Sequence, residues 1–176
     1  MRPAVFLDKD GTLIEDVPYN VDPALIALTP WARESVDALR EAGFAIVIVT
    51  NQSGVARGLF EESALAAVED KLTALIGPVD GFYYCPHLDG CECRKPQPGM
   101  LRRAAAELDL DLARSWMVGD ILNDVEAGTR AGCRTVLIDN GNETEWLEGR
   151  HRKPSYRVAD MGEAAHAILF TEKAVA

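Results

Sequence analysis

The sequence is poor in basic residues. It contains 18 lysines and arginines against 28 aspartates and glutamates, which gives a formal net charge of -10 at pH 7. Nucleic-acid binding requires a basic surface that neutralises phosphates, so this balance argues against a nucleic-acid partner. The same acidity repels an anionic metabolite at long range, so a phosphorylated ligand would need local cations or a metal ion.

The beginning of the sequence also lacks a long apolar run. The opening MRPAVFLDKDGT reaches charged residues after about five apolar positions, too few for a signal-peptide core or a membrane span. We therefore expect a cytoplasmic protein without a membrane partner. Thiols stay reduced in the cytoplasm, so the four cysteines are expected to be buried residues, metal ligands or nucleophiles rather than disulfides.

The chain has no internal repeat or low-complexity segment, and short apolar runs alternate with amphipathic segments along it. The runs predict buried strands at residues 4–7, 45–49, 82–84, 116–118 and 135–138. The amphipathic segments predict helices at residues 32–42, 62–76, 100–108, 125–131 and 161–170. This alternation predicts a three-layer α/β/α sandwich, Rossmann-like, with a mainly parallel sheet and with ligands beyond the carboxyl ends of the strands.

The length of the chain fits a single domain spanning residues 1–176. The polar stretch 140–155 is expected to be a surface excursion rather than a linker between domains. Residues after about Glu172 are expected to fray, as chain ends commonly do. All candidate site residues therefore belong to one folded unit.

Pairs of carboxylates follow two of the predicted strands. Asp8 and Asp10 lie in DKDGT after the first strand, and Asp120 and Asp124 follow the fourth. A divalent cation relieves the repulsion of such acids, and magnesium prefers oxygen ligands from carboxylates. An ionised Asp8 beside that metal can attack phosphorus while Asp10 protonates the leaving oxygen. Taken alone, the two pairs also fit an Asp-Gly turn and a helix cap.

A polar turn and a lysine add weaker signals. Thr50 and Asn51 end the second predicted strand and begin TNQSG, which supplies hydroxyl, amide and backbone donors suited to a phosphate. Lys95 offers a cation that can neutralise a phosphoryl oxygen or the attacking carboxylate. Taken alone, the turn is a weak indication and a single lysine is usually a solvated surface charge.

Four short motifs together resemble those of the phosphatases of the haloacid dehalogenase (HAD) superfamily. In chain order they are DKDGT at Asp8, Thr50-Asn51, Lys95-Pro96 and Gly119-Asp120-x3-Asp124. They span residues 8–124, about two thirds of the chain. The combination is far more specific than any of its parts, and the remaining predicted strand and helix suit the same fold.

The resemblance implies that Asp8 is the nucleophile that forms an aspartyl phosphate. Asp10 would be the general acid and later the base for water, and Thr50, Asn51 and Lys95 would bind the phosphate and substrate. The implied magnesium ligands are Asp8, the backbone carbonyl of Asp10, and Asp120, with Asp124 as an auxiliary acid. Asp10 favours phosphatase over dehalogenase chemistry, because a dehalogenase needs no acid for its leaving group.

Three thiols and an imidazole lie within nine residues, at Cys85, His87, Cys91 and Cys93. This set is enough for a closed zinc site, although unrelated reduced thiols or a regulatory disulfide are alternatives. With the following Arg94, the loop resembles the zinc-binding insertion of the heptose bisphosphate and histidinol phosphate phosphatases. The resemblance implies a structural zinc ion in the loop 85–93 that fixes Arg94 and the adjacent lysine.

Spacing and local sequence bear on the substrate. No stretch of about 50 or more residues separates the first three motifs, so no large cap domain is expected and the site should be open. The run TNQSGVARG from Thr50 is similar to the heptose bisphosphate phosphatases, which implies removal of the C7 phosphate from a heptose 1,7-bisphosphate. Ile121 departs from that pattern, because a basic residue is frequent there in the heptose enzymes.

A bisphosphate needs a second set of cations, for which Arg57 and Arg94 are the candidates because guanidinium groups bind phosphate bidentately. Histidinol phosphate and other sugar phosphates are alternative substrates on the same machinery. A non-catalytic, zinc-bearing binding module is an alternative of a different class. By resemblance we expect a monomer that acts on a small phosphorylated metabolite.

Overall fold

The structure, a computed structural model, describes residues 1–175, and Ala176 lies outside the described residues. The strands are β1 (Ala4–Leu7), β2 (Ala45–Asn51), β3 (Gly81–Cys85), β4 (Trp116–Gly119), β5 (Arg134–Ile138) and β6 (Tyr156–Val158). The α-helices are α1 (Ala32–Glu41), α2 (Leu65–Ile76), α3 (Gly99–Leu108), α4 (Leu122–Ala131) and α5 (Met161–Val175). Strand and helix alternate for most of this length.

The six strands form one sheet in the order β3-β2-β1-β4-β5-β6, and every neighbouring pair is parallel. Successive side chains of a strand point to opposite faces of the sheet, so both faces carry apolar side chains. Helices cover both of these faces. Val5 and Leu7 pack in the core shared with α1, α2 and α5, whereas Ala4 and Phe6 pack in the core shared with α3 and α4. This architecture confirms the predicted three-layer sandwich.

Five of the six strands were predicted from the sequence, each within two residues of its observed ends. The exception is β6, which is only three residues long, lies at the edge of the sheet and is largely exposed. An edge strand without a buried apolar run gives little periodic signal. Helix α5 continues to Val175, and the fraying expected after about Glu172 stays a prediction.

The topology brings the motifs to one edge of the sheet. Leu7, the last residue of β1, lies opposite Ile48 of β2 and Val118 of β4, so all three strands point their carboxyl ends the same way. The backbone N–H of Asp8 continues this pairing by donating to the Val118 carbonyl at 2.9 Å. The residues that follow these central strands are therefore neighbours in space.

No helix within residues 1–175 combines the length and the apolar character needed to cross a membrane.

Candidate active site

A cleft of about 220 Å³ opens where β1, β2 and β4 end. Seven of the predicted site residues line it, namely Asp8, Asp10, Thr50, Asn51, Lys95, Asp120 and Asp124. The motifs are separated by up to 116 positions along the chain, from residue 8 to residue 124. The parallel sheet therefore assembles one acidic cleft from four separate segments.

Lys95 lies between two of the acids. Its ammonium Nζ is 2.5 Å from Asp8 Oδ1 and 2.7 Å from Asp124 Oδ1, and it donates to the Val49 carbonyl at 2.9 Å. Burial alone would lower the pKa of Lys95, but the charges and hydrogen bonds of Asp124 and Asp8 raise it above its ordinary value. Lys95 is therefore a fixed cation at the bottom of the cleft.

Asp8 is buried and its carboxylate faces the cleft. Burial raises its pKa to about 6, although Lys95 opposes this shift. Thr12 lies at 3.5 Å from Asp8 Oδ2 and at 3.4 Å from Asp120 Oδ1, so its hydroxyl joins the first motif to the fourth. A nearby cation would favour the ionised form of Asp8, which is the form that can attack phosphorus.

Asp8, Asp120 and Asp124 offer carboxylate oxygens that all lie within 4.8 Å of one another. Burial, together with the charges of Asp8 and Asp124, raises the pKa of Asp120 to about 8. Lys95 supplies one positive charge to these three acids. An all-oxygen donor set with excess negative charge fits a hard divalent cation such as Mg²⁺.

Asp124 belongs to α4 and also accepts a hydrogen bond from the Ile121 backbone N–H at 3.3 Å. It therefore acts as a helix cap and as a partner of Lys95 at the same time. The close approach depends on Gly119, because a Cβ there would lie 2.3 Å from the Asp124 carboxylate. Any larger residue at position 119 would displace this acid.

Asp10 has a separate environment from the other three acids. Its carboxylate is 2.5 Å from the ammonium of the buried Lys9 and accepts a hydrogen bond from Gln52 Nε2 at 3.1 Å. Gln52 also donates to Thr50 Oγ1 at 2.9 Å. Two residues outside the predicted set therefore orient Asp10 and the second motif towards the same cleft.

Asn51 fixes the segment that carries Lys95. Its side-chain amide donates to the Lys95 carbonyl at 3.1 Å, and its side-chain oxygen accepts from the Lys95 backbone N–H at 3.0 Å. With both ends of the amide in use, Asn51 positions Lys95 as well as lining the cleft. This role is additional to the substrate contact that the sequence suggests.

The cysteine and histidine residues form a second cluster. Cys85 Sγ lies 3.0 Å from Cys93 Sγ and 3.6 Å from Cys91 Sγ, and His87 Nδ1 lies 3.3 Å from Cys93 Sγ. Cys85 is fully buried at the end of β3. Three thiol sulfurs and an imidazole nitrogen that lie within 4.8 Å of one another suit a closed, tetrahedral zinc site.

The thiols differ in acidity. Burial raises the pKa of Cys85 to about 12. Burial also opposes ionisation of Cys91, but hydrogen bonds from the Arg94 backbone N–H and the neighbouring thiols lower its pKa to about 6. The cluster thus already favours one thiolate, and a zinc ion would favour deprotonation of the others.

Backbone hydrogen bonds join the loop 85–93 to the second motif and to the start of helix α3. The Gln52 N–H donates to the Cys85 carbonyl at 2.7 Å, and the Gly99 N–H donates to the Glu92 carbonyl at 2.9 Å. A Cβ on Gly99 would lie 2.2 Å from that carbonyl oxygen, so helix α3 begins directly against the loop. The loop is therefore attached both to the second motif and to the start of α3, which follows Lys95.

Comparison with known proteins places the chain in a family. A HAD-hydrolase-like family model matches residues 92–164. The D-glycero-beta-D-manno-heptose-1,7-bisphosphate 7-phosphatase of Bordetella bronchiseptica is 41% identical over 173 residues, covering 94% of this chain and 97% of that protein. The chain belongs to this HAD phosphatase family. The equivalent protein of Mesorhizobium japonicum is 43% identical, covering 94% of this chain and 82% of the relative.

Solved structures agree with the assignment to the heptose bisphosphate phosphatase family. The crystal structure of D,D-heptose 1,7-bisphosphate phosphatase from B. bronchiseptica, complexed with magnesium and phosphate, superposes with a TM-score of 0.83 at 36% identity. The match covers 97% of this chain and 99% of that one. The predicted HAD phosphatase fold and the resemblance to the heptose enzymes are both confirmed.

The two arginines that we expected to meet a second phosphate do not line the cleft of this family member. Arg57 is exposed, and its backbone N–H donates to the Ser53 carbonyl at 3.0 Å. Arg94 is half-buried, and its guanidinium donates to the His87 carbonyl at 3.3 Å. Their contact with substrate stays a prediction.

Sequence reasoning missed other residues of the cleft. Asp16 lines it and also lines an adjoining groove of about 250 Å³, which includes Tyr19 and Ser53. Asn142, from the stretch expected to be a plain surface excursion, donates to Asp120 Oδ2 at 2.7 Å. The TNQSG turn pointed to Gln52 and Ser53, but no sequence pattern pointed to Asp16 or Asn142.

Proposed function

We propose that the protein is a magnesium-dependent phosphomonoester hydrolase that uses Asp8 as a covalent nucleophile. The position of the Asp8 carboxylate supports this most strongly, because it lines the cleft beside the Lys95 ammonium and the acids Asp120 and Asp124. A metal at these acids would neutralise phosphate oxygens and hold Asp8 in its ionised form. The magnesium and phosphate bound by the B. bronchiseptica relative support this assignment.

The proposed hydrolysis has two steps, and Asp10 donates a proton in the first and accepts one in the second. Asp8 forms an oxygen–phosphorus bond as the bond to the substrate oxygen breaks, and Asp10 gives its proton to that leaving oxygen. Asp10 then takes a proton from water, whose oxygen attacks phosphorus and releases Asp8 and inorganic phosphate. Lys95 and Thr50 stabilise the charge of the transferring phosphoryl group.

The magnesium ligands in this proposal are carboxylate oxygens of Asp8 and Asp120 and the backbone carbonyl of Asp10. Asp124 acts as an auxiliary acid, since it holds Lys95 at 2.7 Å. A second metal ion, zinc, would bind Cys85, His87, Cys91 and Cys93. With four protein ligands it would be structural and would fix the loop 85–93 beside Lys95.

We propose that the substrate is D-glycero-D-manno-heptose 1,7-bisphosphate and that the C7 phosphate is removed. The names of the relatives support this choice over histidinol phosphate and over a broad range of sugar phosphates. Arg57 and Arg94 remain the candidates for the second phosphate, since Arg57 follows the second motif and Arg94 precedes Lys95. Both arginines lie outside the cleft. Their flexible side chains would have to turn towards the cleft to reach the substrate.

A non-catalytic binding module is disfavoured by the cleft itself. Five carboxylates and a buried lysine are costly to bring together, and perturbed acids are typical of functional sites. We further propose a cytoplasmic monomer that acts as one domain of residues 1–176 and binds neither nucleic acid nor membrane. The acidic composition supports the absence of nucleic-acid binding, and the single sheet supports one domain.

Phosphate release with magnesium from p-nitrophenyl phosphate tests the proposed chemistry. We expect turnover by the unaltered protein and none by Asp8→Asn, which keeps the size of the side chain but removes the nucleophile. A circular dichroism spectrum and a melting curve establish that the variant is folded. Undiminished turnover by folded Asp8→Asn would refute the nucleophile.

A further inference from the structure

The segment after β5 turns back into the catalytic cleft. Asn140 donates through Nδ2 to the Gly11 carbonyl at 2.7 Å, and its Oδ1 accepts from the Asn142 backbone N–H at 3.2 Å. Asn142 then donates through Nδ2 to Asp120 Oδ2 at 2.7 Å. One short turn therefore binds both the first motif and the acid of the fourth.

Gly11 makes this approach possible. Its φ is +81°, and a Cβ at this position would lie 2.2 Å from Asp120 Oδ2 and 2.5 Å from Asn142 Nδ2. The amide and the carboxylate thus meet directly above the glycine of DKDGT. Two short side chains therefore make the contact, over a glycine that leaves room for both.

The turn is held from its other end by Glu143. One carboxylate oxygen accepts from the Leu122 backbone N–H at 2.7 Å, at the start of α4. The other accepts from the N–H groups of Glu145 and Trp146, at 2.9 and 3.3 Å. Glu143 therefore ties the turn to the helix that begins just after Asp120.

We infer that Asn142 is a positioning residue for the metal ligand Asp120. Its amide engages Oδ2 and leaves Oδ1 on the side of Thr12, whose hydroxyl also reaches Asp8. Among the hydrogen bonds to this carboxylate in residues 1–175, the one from Asn142 is the shortest. A neutral donor orients the acid without adding a positive charge that would compete with a metal ion.

This inference rests on the proposed magnesium site. Residues that orient metal ligands typically contribute about 10-fold to 100-fold to metal affinity. Replacing Asn142 by alanine removes the amide, so Asp120 can turn and the cation loses a fixed ligand. Magnesium affinity should fall, while the turnover rate at saturating magnesium should change much less.

Calorimetric titration with Mg²⁺ measures this directly and does not depend on turnover. We expect Asn142→Ala to bind Mg²⁺ about 10-fold more weakly than the unaltered protein. Thr144→Ala is the matched control, because it shortens an exposed side chain in the same loop, and this side chain makes no hydrogen bond within residues 1–175. It should bind Mg²⁺ as the unaltered protein does.

Equal Mg²⁺ affinity of folded Asn142→Ala and Thr144→Ala would overturn the inference. If Asn142→Ala does not fold, Asn140→Ala serves instead, since it removes the tether to Gly11 while keeping the amide of Asn142. Weaker Mg²⁺ binding by that variant supports the inference, and unchanged binding overturns it. Absence of Mg²⁺ binding by the unaltered protein would instead defeat the proposed function.

Discussion

The ammonium of Lys95 lies 2.5 Å from Oδ1 of Asp8, in a buried ion pair that joins two segments 87 positions apart. Asn51 secures this pair by holding the Lys95 backbone with two hydrogen bonds. The pair fixes the direction in which the Asp8 carboxylate points. The same ammonium is placed to balance the charge of a phosphoryl group bound to Asp8.

Replacing Lys95 by methionine should lower kcat by about 100-fold to 1,000-fold, because the charge on the transferring phosphoryl group loses its cation. Methionine has a similar length, so the packing at this buried position is largely kept. Steady-state rates of phosphate release at saturating magnesium give the effect. A kcat within a few fold of the original would contradict the role of Lys95.

Replacing Asp10 by asparagine should lower kcat by about 100-fold to 10,000-fold for an alkyl phosphate, because the leaving alkoxide needs a proton. The loss should be smaller for the formation of aspartyl phosphate from p-nitrophenyl phosphate, since p-nitrophenolate leaves without a proton. Rapid-quench measurement of p-nitrophenolate release isolates this first step. An equal loss on both substrates would argue against Asp10 as the general acid.

Magnesium binding should release protons below about pH 8. In the metal-free fold the pKa of Asp120 is raised to about 8 and that of Asp8 to about 6, whereas a metal ligand must be ionised. Magnesium affinity should therefore increase as the pH rises from 6 to 8 and then level off. Calorimetry in two buffers of different ionisation enthalpy counts the protons, and no release at pH 7 would contradict this linkage.

The raised pKa of Asp120 also affects folding stability. Magnesium affinity should rise with pH, whereas the contribution of Asp120 to the stability of the metal-free fold should fall. The folded carboxyl of Asp120 keeps a proton that the unfolded chain, with a pKa near 3.8, has already released. Asp120 itself should therefore reduce the stability of the metal-free fold as the pH rises from 3.8 to about 8. Over this range without magnesium, the melting temperature of the unaltered protein should fall relative to that of Asp120→Asn, and it should fall less with magnesium.

Zinc should be bound at one ion per chain and should be lost from Cys91→Ser. Removing one of four ligands opens the site, and a structural zinc ion contributes directly to folding stability. Elemental analysis and a melting curve measure both effects. Cys133→Ala is the matched control, because Cys133 is a buried cysteine outside the cluster and its loss should leave the zinc content unchanged.

The sequence predicts the parts of the site that depend on local motifs. Asp8, Asp10 and Asp120 follow buried strands, and the common direction of parallel strands brings their carboxyl ends to one edge of the sheet. The cysteine and histidine cluster follows from spacing within nine residues, and the structure places its donor atoms together. These predictions required no knowledge of loop conformation.

The residues that sequence reasoning missed depend on loop conformation. Asn142 reaches Asp120 only because Asn140 and Glu143 fold its turn back over the cleft, and a polar stretch without periodicity gives no sign of this. Asp16 lines the cleft by way of the loop after DKDGT. Arg57 also lies in a loop. A guanidinium group suits phosphate binding, but the residue type does not determine where a loop holds it, and Arg57 does not line the cleft.

The most direct measurement is phosphate release with magnesium from heptose 1,7-bisphosphate and from histidinol phosphate, compared as kcat/KM. We predict a value at least about 10-fold higher for the bisphosphate, because only that substrate can use cations for a second phosphate. Phosphorus NMR should identify the product as the 1-phosphate. A preference for histidinol phosphate, or release from neither compound, would contradict the account.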